Sequence, residues 1–142
     1  MTFNFEPFNG HIVANIDGND CLVDTGSPVT FGTGRSLPSF GKPLIGEGIR
    51  GLDAADVGRS LGRPLDILLG VDVLGHHTFL VDWEASTITF DPDTRPAGIE
   101  IPLDNIMGCP LVSARIGGRD VKLALDTGAR VTFLDPALVA DE

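Results

Sequence analysis

The sequence is poor in basic residues, tyrosine, tryptophan and cysteine. Its 142 residues include 10 Lys and Arg against 20 Asp and Glu, so the formal net charge is −10. No cluster of basic residues is present, which argues against nucleic acid and against anionic membrane surfaces as partners. The two cysteines are too few and too far apart for a disulfide framework or a metal knuckle. We therefore expect no metal site, no cofactor and a reducing, cytoplasmic environment.

Long hydrophobic runs are also missing. Apolar runs such as Ile67-Leu68-Leu69 fall far short of the roughly 20 residues that cross a bilayer. The N-terminus has neither the basic region nor the apolar stretch of a signal peptide. The remaining composition is globular, with 42% apolar and 21% charged residues. Glycine (18) and proline (10) interrupt the chain at short intervals, which favours many short strands and predicts an all-β protein.

An eight-residue block occurs twice. Asp24-Thr25-Gly26-Ser27-Pro28-Val29-Thr30-Phe31 recurs 102 positions later as Asp126-Thr127-Gly128-Ala129-Arg130-Val131-Thr132-Phe133, with six of the eight residues identical. A pair of ordinary Asp-containing β-turns is the simplest alternative interpretation. Such turns do not account for the matching apolar flanks, so the duplication points to a paired function.

The segments before the two blocks predict matching hairpins. Residues 11–16 and 21–23 flank a turn at 17–20, and residues 111–116 and 121–125 flank a turn at 117–120. The second hairpin is two residues longer than the first. Each block therefore follows the second arm of a hairpin.

The rest of the pattern is found only once. Residues 29–31 predict a short strand, 53–61 a short helix that ends at Gly62, and 66–70 a buried strand. Residues 78–83 and 87–90 predict a hairpin with Trp83 in the core, and 91–96 a linker. No counterpart of these elements follows Leu134. The sequence predicts a complete unit over residues 1–93 and the first half of a similar unit over 94–142; by the repeat, a full second unit would end at about residue 192.

Two carboxyl groups that face each other can activate water without a metal or a nucleophilic side chain. Within about 3 Å of each other they cannot both ionise, so one holds a proton while the other stays charged. The charged one takes a proton from water, and the protonated one donates to the carbonyl oxygen under attack. Glycine after threonine allows two turns to approach closely, and the threonine hydroxyl can tie one turn to the other.

These residues resemble the retropepsin-like aspartic peptidases. The resemblance is carried by Asp24-Thr25-Gly26-Ser27, by the glycine-rich stretch after it, and by Leu68-Leu69-Gly70-Val71-Asp72-Val73-Leu74. The second block, within Leu125-Asp126-Thr127-Gly128-Ala129, is similar to the family's commonest form. The resemblance covers all of the first unit and half of the second, in a tandem form that is also found among bacterial proteins. It implies all-β, closed barrel-like lobes with psi-shaped loops, one short helix and one catalytic Asp per lobe.

The resemblance also implies a role for each matched residue. Asp24 and Asp126 would be the catalytic pair. The active-site turns would be completed by Thr25, Gly26, Ser27, Thr127, Gly128 and Ala129. A supporting strand would contain Leu68, Leu69 and Gly70, and the flap candidate within 41–49 contains Gly46, Glu47 and Gly48. The expected function is an aspartic endopeptidase that hydrolyses peptide or protein substrates.

An alternative follows from what the second unit lacks. It has no counterpart of Leu68-Leu69-Gly70, and the chain has no Tyr for a pepsin-like flap. A catalytically weak or inactive module for peptide binding or dimerisation is therefore the second hypothesis. Two copies could also pair through their first units, which would place Asp24 opposite its equivalent in the partner.

Three further features lead to separate predictions. Ser27 is expected to hydrogen-bond the Asp24 carboxylate, which Ala129 cannot do for Asp126, so Asp24 is expected to be the more easily ionised member of the pair. The segment 46–51 is a literal G-x-G-x-x-G, but it lacks the long helix of a dinucleotide site, so a glycine-rich flap accounts for it better. His76-His77 predicts a solvated turn, because no third metal ligand is evident.

Overall fold

The structure is a computed structural model that describes residues 1–49 and 51–138. Over these residues the protein is mostly β, as predicted, with two α-helices and two short 3-10 helices at Pro38–Phe40 and Pro136–Leu138. The elements of the first unit are β1 (Thr2–Phe8), β2 (His11–Ile16), β3 (Asn19–Val23), α1 (Ala54–Leu61), β4 (Ile67–Leu69), α2 (Val71–Leu74), β5 (Phe79–Asp82) and β6 (Thr87–Phe90). Those of the second unit are β7 (Leu103–Ile106), β8 (Cys109–Ile116) and β9 (Arg119–Ala124).

The first unit forms one open sheet of six strands in the order β4-β3-β2-β1-β6-β5. All pairs are antiparallel except β3 with β4, which run parallel. The expected closed barrel is therefore wrong. The two edge strands, β4 and β5, have three and four residues and do not pair with each other.

The second unit repeats the opening hairpins of the first as a separate sheet in the order β7-β8-β9. The turn between β1 and β2 has positive φ at Asn9 (51°) and Gly10 (87°), and the turn between β7 and β8 has nearly the same values at Met107 (53°) and Gly108 (86°). Left-handed conformation at both central positions is the geometry of tight two-residue hairpins. The repeat is thus structural as well as sequential.

Burial divides the two units sharply. The first unit has two apolar clusters, one on each side of its sheet. Phe31, from the first block, is 2% exposed, whereas its counterpart Phe133 is 81% exposed. Within residues 94–138 only Cys109 is buried. The repeated residues are alike, but only the first unit supplies the elements that cover them.

Most predicted elements are present, with local differences. The helix predicted over residues 53–61 is present as α1: it begins one residue later, because Asp53 is its capping residue, and it ends at Gly62 as predicted. Residues 29–31 form a single bridge between Phe31 and Leu68 instead of a strand. The core position predicted for Trp83 is wrong: it follows the end of β5, packs edge-on against Phe5 at 5.3 Å between ring centroids, and is 54% exposed. Among the described residues, no helix is both long enough and apolar enough to cross a membrane.

Candidate active site

The two Asp-Thr-Gly blocks form matching turns at the ends of β3 and β9. In the first turn the Gly26 amide donates to Asp24 Oδ1 at 2.9 Å, and in the second the Gly128 amide donates to Asp126 Oδ1 at 2.8 Å. In both turns the amide three positions after the Asp donates to the Asp carbonyl at 3.3 Å. Each carboxyl is therefore held over its own turn by the same local bonds.

The threonines tie the two turns together. The Thr25 hydroxyl donates to the Leu125 carbonyl at 2.5 Å, and the Thr127 hydroxyl donates to the Val23 carbonyl at 2.6 Å. Each hydroxyl also accepts from the backbone amide of the other threonine, at 3.1 and 3.0 Å. Each hydroxyl thus uses its proton and one of its acceptor sites in bonds to the other turn. This reciprocal set of bonds fixes the relative position of the turns.

The glycines bring the carboxyl groups face to face. A Cβ at Gly26 would lie 2.3 Å from Cγ of Asp126, and a Cβ at Gly128 would lie 2.3 Å from Cγ of Asp24. Real side chains do not approach this closely, so any larger residue would push away the opposite carboxyl. The site therefore requires glycine at both positions for close approach, not for an unusual backbone conformation.

The facing carboxyls alter the acidity of Asp24. Burial raises the pKa of Asp24 to about 6, and the charge of Asp126 and a hydrogen bond with its carboxyl act in the same direction. The backbone amides of Gly26 and Ser27 oppose the shift by stabilising the charged form. Asp24 consequently keeps its proton to a higher pH than a free aspartic acid.

The role expected for Ser27 is not the one that the structure shows. Its hydroxyl donates to the Val29 carbonyl at 2.8 Å and therefore organises the turn. Only its backbone amide favours the Asp24 carboxylate, and burial outweighs that effect. The predicted bond from the Ser27 hydroxyl to the Asp24 carboxylate is therefore wrong, and burial, which the prediction left out, raises the pKa of Asp24.

Strand β4 lies beside the first turn. The Asp24 amide donates to the Leu69 carbonyl at 3.0 Å, and Phe31 and Leu68 exchange backbone hydrogen bonds at 3.0 and 2.9 Å. A Cβ at Gly70 would lie 2.4 Å from the Val29 carbonyl oxygen. The predicted supporting strand therefore occupies the space between β3 and the later part of the first block.

Two contacts near the site were not anticipated from the sequence. The Thr30 hydroxyl accepts from the Gly70 amide at 2.9 Å and donates to Asp72 Oδ1 at 2.6 Å, which links the first block to α2. The Cys109 thiol donates to the Gly26 carbonyl at 3.4 Å, and burial together with Asp24 raises its pKa. The repetition of Thr30 as Thr132 was the available signal for the first contact; no pattern pointed to the second.

The flap candidates lie in a loop that is fixed by backbone bonds. The Gly46 carbonyl accepts from the Gly32 amide at 3.2 Å, and the neighbouring Ile45 is buried. Glu47 is exposed. In the part of the chain that the structure describes, no hydrogen bond or ion pair joins Gly46, Glu47 or Gly48 to the two aspartates. Arg50, within the G-x-G-x-x-G segment, lies outside the described residues, as does the end of the predicted second unit at 139–142.

The paired histidines lie apart from this site. His77 Nδ1 contacts Asp91 Oδ2 at 2.7 Å, and His76 is exposed. No group of three or more His, Cys, Asp or Glu among the described residues is arranged to hold a metal ion. Comparisons of the chain with protein-family models, with curated proteins and with solved structures found no match, so the functional interpretation depends on the paired turns described above.

Proposed function

We propose that this protein is an aspartic endopeptidase of the retropepsin-like type, with Asp24 and Asp126 as its catalytic residues. The observation that carries the proposal is the reciprocal packing of the two turns, in which each carboxyl lies against the glycine of the other turn. A pair of unrelated β-turns has no reason to bring two carboxyls together, because their mutual repulsion destabilises the fold. Such an arrangement is expected where the pair itself has a use.

In the proposed mechanism the pair shares one proton. Asp24 holds it, consistent with its raised pKa, and Asp126 acts as the base. Water attacks the peptide carbonyl carbon while its proton passes to Asp126 and the Asp24 proton passes to the carbonyl oxygen. The tetrahedral intermediate then collapses: Asp126 gives its proton to the departing nitrogen, Asp24 recovers a proton from a hydroxyl, and the C–N bond breaks. The pair thereby returns to its starting protonation state.

A specific observation favours the second candidate function, a peptide-binding or dimerisation module. Asp126 lies on the exposed half of the pair, and the apolar side chains around it, such as Leu125 and Val131, are 44% and 54% exposed. Exposed apolar surface of this kind is common at interaction sites. A module of this type would bind peptides saturably without cleaving them.

The first experiment measures cleavage of an unfolded protein at pH 4 to 5 with and without a statine-type inhibitor. Asp24→Asn and Asp126→Asn should each reduce the rate at least about 100-fold, the usual loss when an acid–base group is removed. Asp93→Asn, on an exposed residue of the linker, is the matched control and should retain the rate.

The pattern of loss separates the hypotheses. If the rate survives Asp126→Asn but not Asp24→Asn, sedimentation should show a dimer formed through two first units. If neither variant differs from the control, the proposal is wrong. Binding without turnover would favour the module.

Both cysteines are free, which fits the proposed reducing, cytoplasmic environment.

A further inference from the structure

The turn between β7 and β8 makes a second contact between the two units, separate from the threonine bonds. Cys109, the first residue of β8, is 8% exposed, whereas the other described residues of the second unit are exposed or half-buried. Its thiol donates to the Gly26 carbonyl at 3.4 Å. A Cβ at the preceding Gly108 would lie 3.0 Å from Cγ2 of Val71, in α2 of the first unit. The turn therefore lies close against the first unit at two points.

The strand register places Cys109 beside the aspartate of its own unit. Past the last pair of the β8–β9 ladder, the Leu125 amide donates to the Pro110 carbonyl at 2.9 Å and so continues the register. The next position along this register sets Cys109 opposite Asp126. Residues opposite each other across an antiparallel pair are neighbours on one face of the sheet. Cys109 thus lies next to Asp126 along the sheet while its thiol contacts the first turn.

Gly26 connects these two contacts. A Cβ at Gly26 would lie 2.3 Å from Cγ of Asp126, so the Asp126 carboxyl packs directly against the Cα of this glycine. Cys109 binds the carbonyl of the same residue. Because the second unit holds Gly26 at its carbonyl and meets it again at its Cα, the thiol helps to determine how closely the first turn approaches Asp126.

The acidity of the thiol keeps this bond in place. Burial raises the pKa of Cys109, and the charges of Asp24 and Asp126 act in the same direction. The thiol therefore retains its proton at neutral pH and remains a hydrogen-bond donor. A thiolate would have no proton to donate to the Gly26 carbonyl.

We propose that Cys109 is a positioning residue for the proposed reaction: its thiol keeps the first turn against the second, so that Asp126 faces Asp24. The inference rests on the proposed function for its purpose and on the contact between the units for its evidence. The thiol transfers no proton and forms no bond to the substrate. It acts only through Gly26, on the place that the Asp126 carboxyl occupies.

The test compares three variants of the full chain. Cys109→Ala and Cys109→Ser are nearly equal in size and differ in the hydroxyl, which can still donate. Cys21→Ala is the matched control, because the Cys21 thiol also donates to a backbone carbonyl, that of Asn19 at 3.5 Å, but lies fully buried within the first unit. Urea unfolding of each variant confirms that the comparison is made between folded chains.

The first measurement is an NMR titration of the aspartate side-chain carbons, which needs no turnover. In Cys109→Ala the titration midpoint of Asp24 should fall from about 6 by at least about 0.5 pH unit. The reason is that Asp126 moves away and water reaches the site, and both changes favour the charged form of Asp24. Cys109→Ser should restore most of the midpoint, and the control should leave it unchanged.

The second measurement is the cleavage of a peptide substrate. In Cys109→Ala, kcat should fall at least about tenfold while KM changes less than about twofold, since misplacement of a catalytic group slows the chemical step more than it weakens substrate binding. Cys109→Ser should recover most of kcat. Cys21→Ala should retain the natural values, although it truncates a more deeply buried side chain.

The titration decides the inference. An Asp24 midpoint that stays at about 6 in Cys109→Ala, or equal midpoints for the alanine and serine variants, would overturn it. An equally large fall in the control would also overturn it, because the effect would then follow from general loss of stability. If the natural chain cleaves no substrate, the proposed function fails, while the midpoints still show whether Cys109 positions Asp126.

Discussion

Replacing Asp24 with asparagine should make the protein more stable at neutral pH while it removes the proposed activity. Asparagine has the same shape, and its side-chain oxygen can still accept the Gly26 amide, which lies 2.9 Å from Asp24 Oδ1. The substitution removes only the charge that faces Asp126. Such opposition between stability and function is common at active sites.

The magnitude follows from the pKa of Asp24, which is raised from 3.8 to about 6 in the folded protein. Each pKa unit corresponds to about 1.36 kcal/mol, so the full difference would be about 3 kcal/mol. Asp24 is only partly buried, and solvent screening reduces this to roughly 1–2 kcal/mol.

The sign is fixed by linkage. Because the folded pKa lies above the unfolded one, the folded state binds the extra proton between pH 3.8 and about 6. The stability that this provides is fully present below pH 3.8 and is lost as the pH rises through about 6. The asparagine of the variant does not titrate. The free energy of unfolding of the variant should therefore increase relative to that of the natural chain as the pH rises over that range.

Urea unfolding at about pH 3.5 and pH 7 measures the effect as a difference of differences. The stability of Asp24→Asn minus that of the natural chain should increase by roughly 1–2 kcal/mol between the two pH values. Asp93→Asn, in the exposed linker, should show no such change. A difference that is the same at both pH values, or that favours the natural chain at pH 7, would refute the reasoning.

Three other predictions concern the same turns. The peptidase rate should fall as the pH rises through about 6, because the pair then loses its shared proton; a rate that is flat from about pH 5 to 8 would contradict this. Thr25→Val should lower the free energy of unfolding by roughly 2–3 kcal/mol, since it leaves the Leu125 carbonyl and the Thr127 amide unpaired, whereas Thr25→Ser should cost less than about 1 kcal/mol. Gly70→Ala should destabilise by roughly 1–3 kcal/mol through the clash with the Val29 carbonyl, and urea midpoints compared with an alanine at the exposed Gly98 would check it.

The sequence was sufficient for the features that depend on local pattern. The strand at His11–Ile16 follows from a short apolar run that ends at a turn, and the helix follows from the acidic residues of its first turn and from Gly62 at its end. The two Asp-Thr-Gly turns also followed from the repeat. The contact between the two turns was expected from the family resemblance, because no local pattern indicates that segments 102 residues apart in the sequence meet.

The remaining features depend on tertiary environment. The raised pKa of Asp24 comes from burial and from Asp126, neither of which a linear motif contains. Trp83 continues the alternating pattern of Phe79 and Val81, but strand β5 ends at Asp82, so Trp83 lies just outside the strand. Strand β1 was not anticipated, although Phe3 and Phe5 alternate with polar residues as in a half-buried strand; of its three phenylalanines only Phe5 is buried. The open sheet depends on which strands pair, and local propensity does not determine strand pairing.

The threonine bonds join two halves of very unequal burial, and this has a consequence for turnover. The first unit has two apolar clusters, one on each side of its sheet, while residues 94–138 bury only Cys109. Segments with little buried surface open at a small free-energy cost, well below that of global unfolding. The fraction of molecules in which Asp126 faces Asp24 would then multiply the rate of the chemical step. In that case an additive that only keeps the second unit closed would raise the observed rate. The enthalpy of thermal inactivation would then report the opening of the second unit and not the unfolding of the whole chain.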